Sequence, residues 1–164
     1  MIRKLLGYFA VGLLALTSCS GSADPDDGPG SNEPYYINIM QFNIRYVNSG
    51  DTGDNHWTVR KNAVKALVDD LSPDVIGLNE ARSTQRTDLK TLLPQYTLLV
   101  VPNTGTSSGG NVNMMYLTDK FKLLASKSFY LSATPNVQSF TWDSTQKQYH
   151  VCLWAHLEDK ETGK

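Results

Sequence analysis

The sequence predicts an α/β protein: two packed mixed β-sheets with flanking helices, a four-layer α/β/β/α sandwich that looks incomplete at its C-terminus. Three observations lead there. Residues 36–78 read as strand, helix, strand; residues from 96 onward read as a run of strands; and the chain stops at Lys164, directly after a strong strand and a turn. An α/β unit followed by consecutive strands buries its apolar surfaces most simply as two facing sheets with helices outside.

Tyr36 to Ile44 is rich in β-branched and aromatic residues, with Ile37 and Ile39 on one face and Met40 and Phe42 on the other. Apolar residues on both faces predict a central, covered strand. After the polar stretch 48–55, Val59, Ala63, Ala66, Leu67 and Leu71 recur at helical spacing, and Ser72 and Pro73 end the helix. Asp74 to Leu78 is a short apolar strand, so the first two strands should be parallel neighbours joined by a right-handed crossover. A second helix is expected from about Thr84 to Leu93, stopped by Pro94. Strands follow at 96–101, 112–117, 122–131 and 149–157, separated by turn-rich stretches. Residues 158–164 look like a hairpin turn whose returning strand is missing, so the domain reads as cut.

With 164 residues, 40% hydrophobic and 19% charged, the composition is that of a globular protein with one core, assigned here to residues 35–164. The net charge of −1 excludes an extensive nucleic-acid surface, because such surfaces owe their affinity to neutralised phosphates. A monomer is expected. Residues 1–19 form a separate unit in which Arg3 and Lys4 precede an apolar run from Leu5 to Leu16. That run is too short to span a bilayer and has the order of a secretory signal. Leu16, Thr17, Ser18 and Cys19 resemble a bacterial lipobox, which implies that the Cys19 thiol carries lipid and that the protein is anchored to a membrane, most simply the outer membrane on its periplasmic or cell-surface face. Several acyl chains would make that attachment durable, at roughly 0.8 kcal/mol per buried methylene. A cleaved signal with an incidental cysteine, giving a soluble periplasmic protein, is the alternative. Residues 20–34, small and polar with Asp24, Asp26 and Asp27, read as a flexible acidic linker. With Cys19 acylated, Cys152 has no intramolecular partner, and burial must hold the fold together without a disulfide framework.

In sheets with parallel strands, ligands gather at the carboxyl ends. The first strand runs out in Phe42, Asn43, Ile44 and Arg45, the second in Leu78, Asn79, Glu80, Ala81 and Arg82. Adjacent strands would set Asn43 and Glu80 on one rim. A carboxylate beside a carboxamide is a hard-oxygen environment suited to Mg²⁺ or Ca²⁺, with waters and substrate phosphate completing the shell. Arg82 would then clamp a phosphate oxygen. On spacing alone, an Asn or Glu at a strand end is more often a cap or an exposed edge.

The segments QFNIRY, DVIGLNEAR, HWTVRK before the first helix, SFYLSATP and LWAHLEDKETGK occur in the order found in bacterial lipoproteins of the endonuclease/exonuclease/phosphatase superfamily, and the chain resembles that superfamily from about Tyr36 to Lys164. The resemblance implies a phosphoester hydrolase of phosphodiesterase or nuclease type that depends on Mg²⁺ (or Mn²⁺ or Ca²⁺). Glu80 matches its metal-ligating glutamate, Asn43 the asparagine that orients metal and phosphate, and Arg82 an arginine that in some members contacts phosphate. The superfamily more often has glutamine where Asn79 stands. It also requires an Asn-Thr-His-Leu segment, an aspartate and asparagine two apart, and a closing Ser-Asp-His, none of which occurs in these residues. The chain is therefore expected to be a fragment, inactive alone; the rival expectation is a non-catalytic, surface-exposed binding lipoprotein on the same scaffold.

Other candidates rank lower. His150, Cys152, Trp154 and His156 alternate along one strand, yet ligands on a single strand cannot readily close a zinc tetrahedron, and a packed face is the simpler reading. Gly105, Ser108, Gly109 and Gly110 lack the lysine and following helix of a phosphate-binding loop and read as a surface turn. His56 and Trp57 should pack the start of the first helix, while Arg45 and Tyr116 are rim candidates for substrate contact.

Overall fold

Strand β1 (Ile39–Asn43) leads through a polar loop and a single 3-10 turn (Gly53–Asn55) to helix α1 (Trp57–Leu71). Strand β2 (Val75–Asn79), helix α2 (Ser83–Leu92) and strands β3 (Tyr96–Val100), β4 (Val112–Leu117), β5 (Phe121–Tyr130) and β6 (Val151–Asp159) follow. These elements come from a computed structural model that describes residues 34–101, 112–142, 145 and 149–164. The expected signal segment with Cys19, nearly all of the linker, and the Gly105–Gly110 turn lie outside the described residues.

The first sheet has the order β1-β2-β4-β3 and is mixed. Strands β1 and β2 are parallel, in a register that sets Asn43 beside Asn79, while β4 runs antiparallel to both β2 and β3. The second sheet pairs β5 with β6 antiparallel, with an irregularity between Leu123 and Ala125. The expected two-sheet α/β sandwich is thus present, with the second sheet antiparallel rather than mixed over its described strands.

Both helices cover one face of the first sheet. Trp57, Val64 and Val68 from α1 and Leu89 from α2, with Leu93 at its end, pack on Ile76, Leu78 and Met115, and Met40 and Phe42 lie against the same cluster. Fully burying such side chains contributes roughly 1.5–3 kcal/mol each. The helices are tied to one another by the indole Nε1 of Trp57, which donates to Asp88 at 2.7 Å. On the opposite face, Ile37, Ile39, Val75 and Met114 join Phe121, Ala155 and Leu157 around a largely apolar cleft of about 600 Å³.

Two expectations need correction. The stripe Val59, Ala63, Ala66 and Leu67 is not the buried face of α1: Val59 is 48% and Leu67 38% exposed, and Trp57, Val64 and Val68 face the sheet instead. Apolar residues cover somewhat more than half of this helix's circumference, and Trp57, Val64 and Val68 lie toward one margin of that arc, so periodicity alone could not choose between two stripes. Among the described residues, β1 is not covered on both faces. It is an edge of the four-stranded sheet they form, and Ile39 is 74% exposed, because the face it shares with Ile37 looks into the cleft.

The segment before β1 is fastened to the turn after β6. The Tyr35 hydroxyl donates to the Asp159 carboxylate, which also accepts the amides of Thr162 (2.8 Å) and Glu161 (3.0 Å). Gly163 sits at φ +70°, in the left-handed region that favours glycine, and closes this turn onto Asp159. The Tyr35 hydrogen bond first, and then the Thr162 amide, hold the Asp159 carboxyl down to about 2 from an ordinary 3.8. A depressed folded-state value means stability that is fully present above pH 3.8 and lost as pH falls toward 2. In Tyr35→Phe, the fall of stability across that window should become shallower, and the variant's deficit at neutral pH should shrink on acidification. Circular-dichroism melts at stepped pH would read this, and parallel curves for the two proteins would refute it.

Candidate active site

Strands β1 and β2 end together, and each is followed by a residue in the left-handed region: Arg45 at φ 55° and Glu80 at φ 66°. Such conformations cost non-glycine residues of order 1 kcal/mol or more and persist where the surroundings impose them. The turn at Glu80 brings its carboxylate back over β1. There Oε1 accepts the Asn43 side-chain amide at 2.8 Å, and Oε2 accepts the Tyr46 backbone amide at 3.1 Å. The Asn43 Oδ1 in turn accepts the Arg45 amide at 2.9 Å, which fixes the orientation of the carboxamide. Asn43 and Glu80 are therefore brought together as the sequence predicted, and with Asn79 they line one cavity of about 240 Å³.

Arg82, the third expected residue, caps the start of α2 and is half-buried, but it is not among the described residues that line this cavity. Its guanidinium lies 4.2 Å from the centre of the Tyr46 ring, a cation–π contact that steadies the charge near the rim. Arg45 is otherwise committed. Its Nη2 and Nε meet the two oxygens of buried Asp51 at 2.6 and 3.0 Å, and this paired contact, with help from Arg60, holds the Asp51 carboxyl below its ordinary range. Tyr116 is not a rim residue at all: it is buried, and it pairs with Val75 at the opposite end of β2 from Glu80.

Two polar side chains that the sequence did not single out, one buried and one half-buried, hold the rim in shape. Gln85, fully buried on α2, accepts the amides of Val47 (3.1 Å) and Arg82 (3.2 Å) through Oε1 and donates Nε2 to the Arg45 carbonyl at 2.8 Å. Arg60 on α1 donates to the carbonyls of Ile44 and Asn55, both at 2.7 Å. Helix starts often carry polar residues, and nothing in the sequence marks Gln85 as buried. His56 caps α1 beside buried Trp57, as expected. The face of β6 bearing Cys152, Trp154 and His156 is half-buried to exposed rather than packed, and no group of three or more metal-ligating His, Cys, Asp or Glu is found among the described residues.

With its oxygens each taking one hydrogen bond, the Glu80 carboxylate keeps lone pairs for a ligand. The groups that meet it are N–H donors, while the Asn43 carbonyl oxygen is taken by the Arg45 amide, so the ligand atoms the site offers are the carboxylate oxygens of Glu80, which suit a hard divalent cation better than a soft one.

This fold occurs in solved structures. An endonuclease/exonuclease/phosphatase protein from Bacteroides vulgatus is 32% identical, with TM-score 0.69 over 78% of this chain and 49% of that one. A protein of the same family from Bacteroides thetaiotaomicron is also 32% identical, with TM-score 0.70 over 77% of this chain and 45% of that one. A mannosyl-6-phosphatase from B. thetaiotaomicron VPI-5482 is 31% identical, with TM-score 0.70 over 78% and 48%. No protein-family profile and no curated protein sequence matches the chain. The chain spans about half the length of these structures, and over that span it is a relative of the endonuclease/exonuclease/phosphatase superfamily.

Truncating Gln85 to alanine would strand two amides and a carbonyl in a buried place, at about 1–3 kcal/mol for each group left unsatisfied. A lower melting temperature and faster hydrogen exchange at the Val47 amide are the expected outcome. Exchange at wild-type rate would mean that Gln85 does not hold the rim.

Proposed function

We propose that this chain supplies one wall of the active site of a divalent-metal-dependent phosphoester hydrolase. The observation that carries the reading is the Glu80 carboxylate, pinned by the Asn43 amide and the Tyr46 backbone at the carboxyl ends of two parallel strands and opening on a cavity. In this reading Asn43 orients the carboxylate, and half-buried Arg82 takes a phosphate oxygen through charge-assisted hydrogen bonds. Mg²⁺, or Mn²⁺ or Ca²⁺ in its place, would be held by Glu80 with Asn43 beside it, and would polarise a phosphoryl oxygen and offset charge that develops during cleavage.

The similar mannosyl-6-phosphatase makes a phosphorylated sugar the first substrate class to assay, and a net charge of −1 argues against long nucleic acid. By the resemblance, the acid and base of the reaction lie in segments that these residues do not contain, so the chain alone is proposed to be inactive or nearly so. A surface lipoprotein that binds a phosphorylated ligand without cleaving it is the alternative on the same scaffold.

The reading predicts that the chain binds Mg²⁺ and that Glu80→Gln weakens this by at least about tenfold, the scale on which even supporting residues of metal sites act. Equal affinities by titration calorimetry would remove the basis of the assignment. We further propose attachment to the outer membrane through Cys19. Labelled palmitate should enter the wild-type protein in bacterial cells and not Cys19→Ala; equal labelling of both would rule the anchor out.

A further inference from the structure

The cavity that contains Glu80, Asn43 and Asn79 is shared with Val112 of β4, with Leu131 just beyond β5, and with His150 and Val151 where β6 begins. A phosphate group entering it meets the negative charge of Glu80. A bound cation would offset part of that repulsion. Among the described residues lining the cavity, His150 alone has a side chain able to carry positive charge, and in either protonation state it retains an N–H to donate.

The backbone under this imidazole is well fixed. The His150 carbonyl accepts the Leu131 amide at 2.8 Å, and the next residue, Val151, pairs with Tyr130 in the ladder. The preceding residue, Tyr149, stacks on Phe140 with ring centres 4.7 Å apart and meets Tyr130 edge-on at 6.2 Å. An exposed imidazole on an anchored backbone at the mouth of a cavity is built for contact with a ligand rather than for packing.

Nor does His150 share a site with the other histidine of this strand. His156 lines the separate cleft between the sheets. Six residues of extended strand put the two about 20 Å apart.

We propose that His150 is a phosphate-binding residue of the Glu80 site, its ring N–H donating to an oxygen of the substrate's phosphate group. The inference rests on the phosphoesterase reading and adds a residue to it.

The test uses the full chain with inorganic phosphate as probe in saturating MgCl₂, comparing wild type, His150→Ala, His150→Arg and Glu80→Gln by calorimetry, with the His150 ring resonances followed by NMR. On phosphate addition the wild-type His150 signals should shift. His150→Ala should weaken phosphate binding about tenfold, the loss expected for one charge-assisted hydrogen bond. Its Mg²⁺ affinity should be unchanged, which also shows that the variant is folded, and His150→Arg should restore phosphate affinity. Should His150→Ala bind phosphate as tightly as wild type while Glu80→Gln loses Mg²⁺, the inference about His150 is wrong and the parent reading stands. Should Glu80→Gln bind Mg²⁺ like wild type, the parent reading fails and the role of His150 fails with it.

Discussion

The parallel pairing of β1 with β2, in the register that sets Asn43 beside Asn79, is the constraint on which the site depends. A slip of one residue would turn the side chains of β1 to opposite faces. Met40 and Phe42 would then leave the helix-covered core, and Asn43 would no longer reach Glu80. The packing that holds the sheet and the hydrogen bond that shapes the site therefore select the same register.

The rim itself is stabilised by neighbours rather than by its own backbone preferences. Arg45 and Glu80 both occupy a conformation that L-residues avoid. What holds Arg45 there is a set of directed contacts: Asp51 on its guanidinium, and Gln85 and Arg60 on carbonyls of the same turn. Glu80 is held through its carboxylate by Asn43 and Tyr46. A carboxylate already fixed by two donors loses little further freedom when a ligand arrives, and that pre-ordering favours binding.

Much of this was legible in the sequence. The strand–helix–strand order and the turn residues Ser72, Pro73 and Pro94 placed the elements to within about two or three residues, and the polar residues after two apolar strands located the rim at Asn43 and Glu80. What periodicity could not decide was which of two stripes α1 buries, because Val59 and Val64 look alike to a hydrophobic count although only Val64 meets the sheet. Tyr116 was misplaced for a related reason. A strand's polar tip counts only at the end that faces the site, and the direction of β4 is a property of the sheet and not of its own residues. Gln85 and His150 were illegible as functional parts because one acquires its role by burial and the other from a neighbouring cavity, both set by tertiary packing.

Among the described residues strand β1 plays two parts at once, as the carrier of Asn43 and as an edge of the four-stranded sheet they form. An edge strand offers backbone donors and acceptors to any extended segment that comes alongside. A segment paired there would extend the ladder beside the strand whose last residue, Asn43, holds the Glu80 carboxylate.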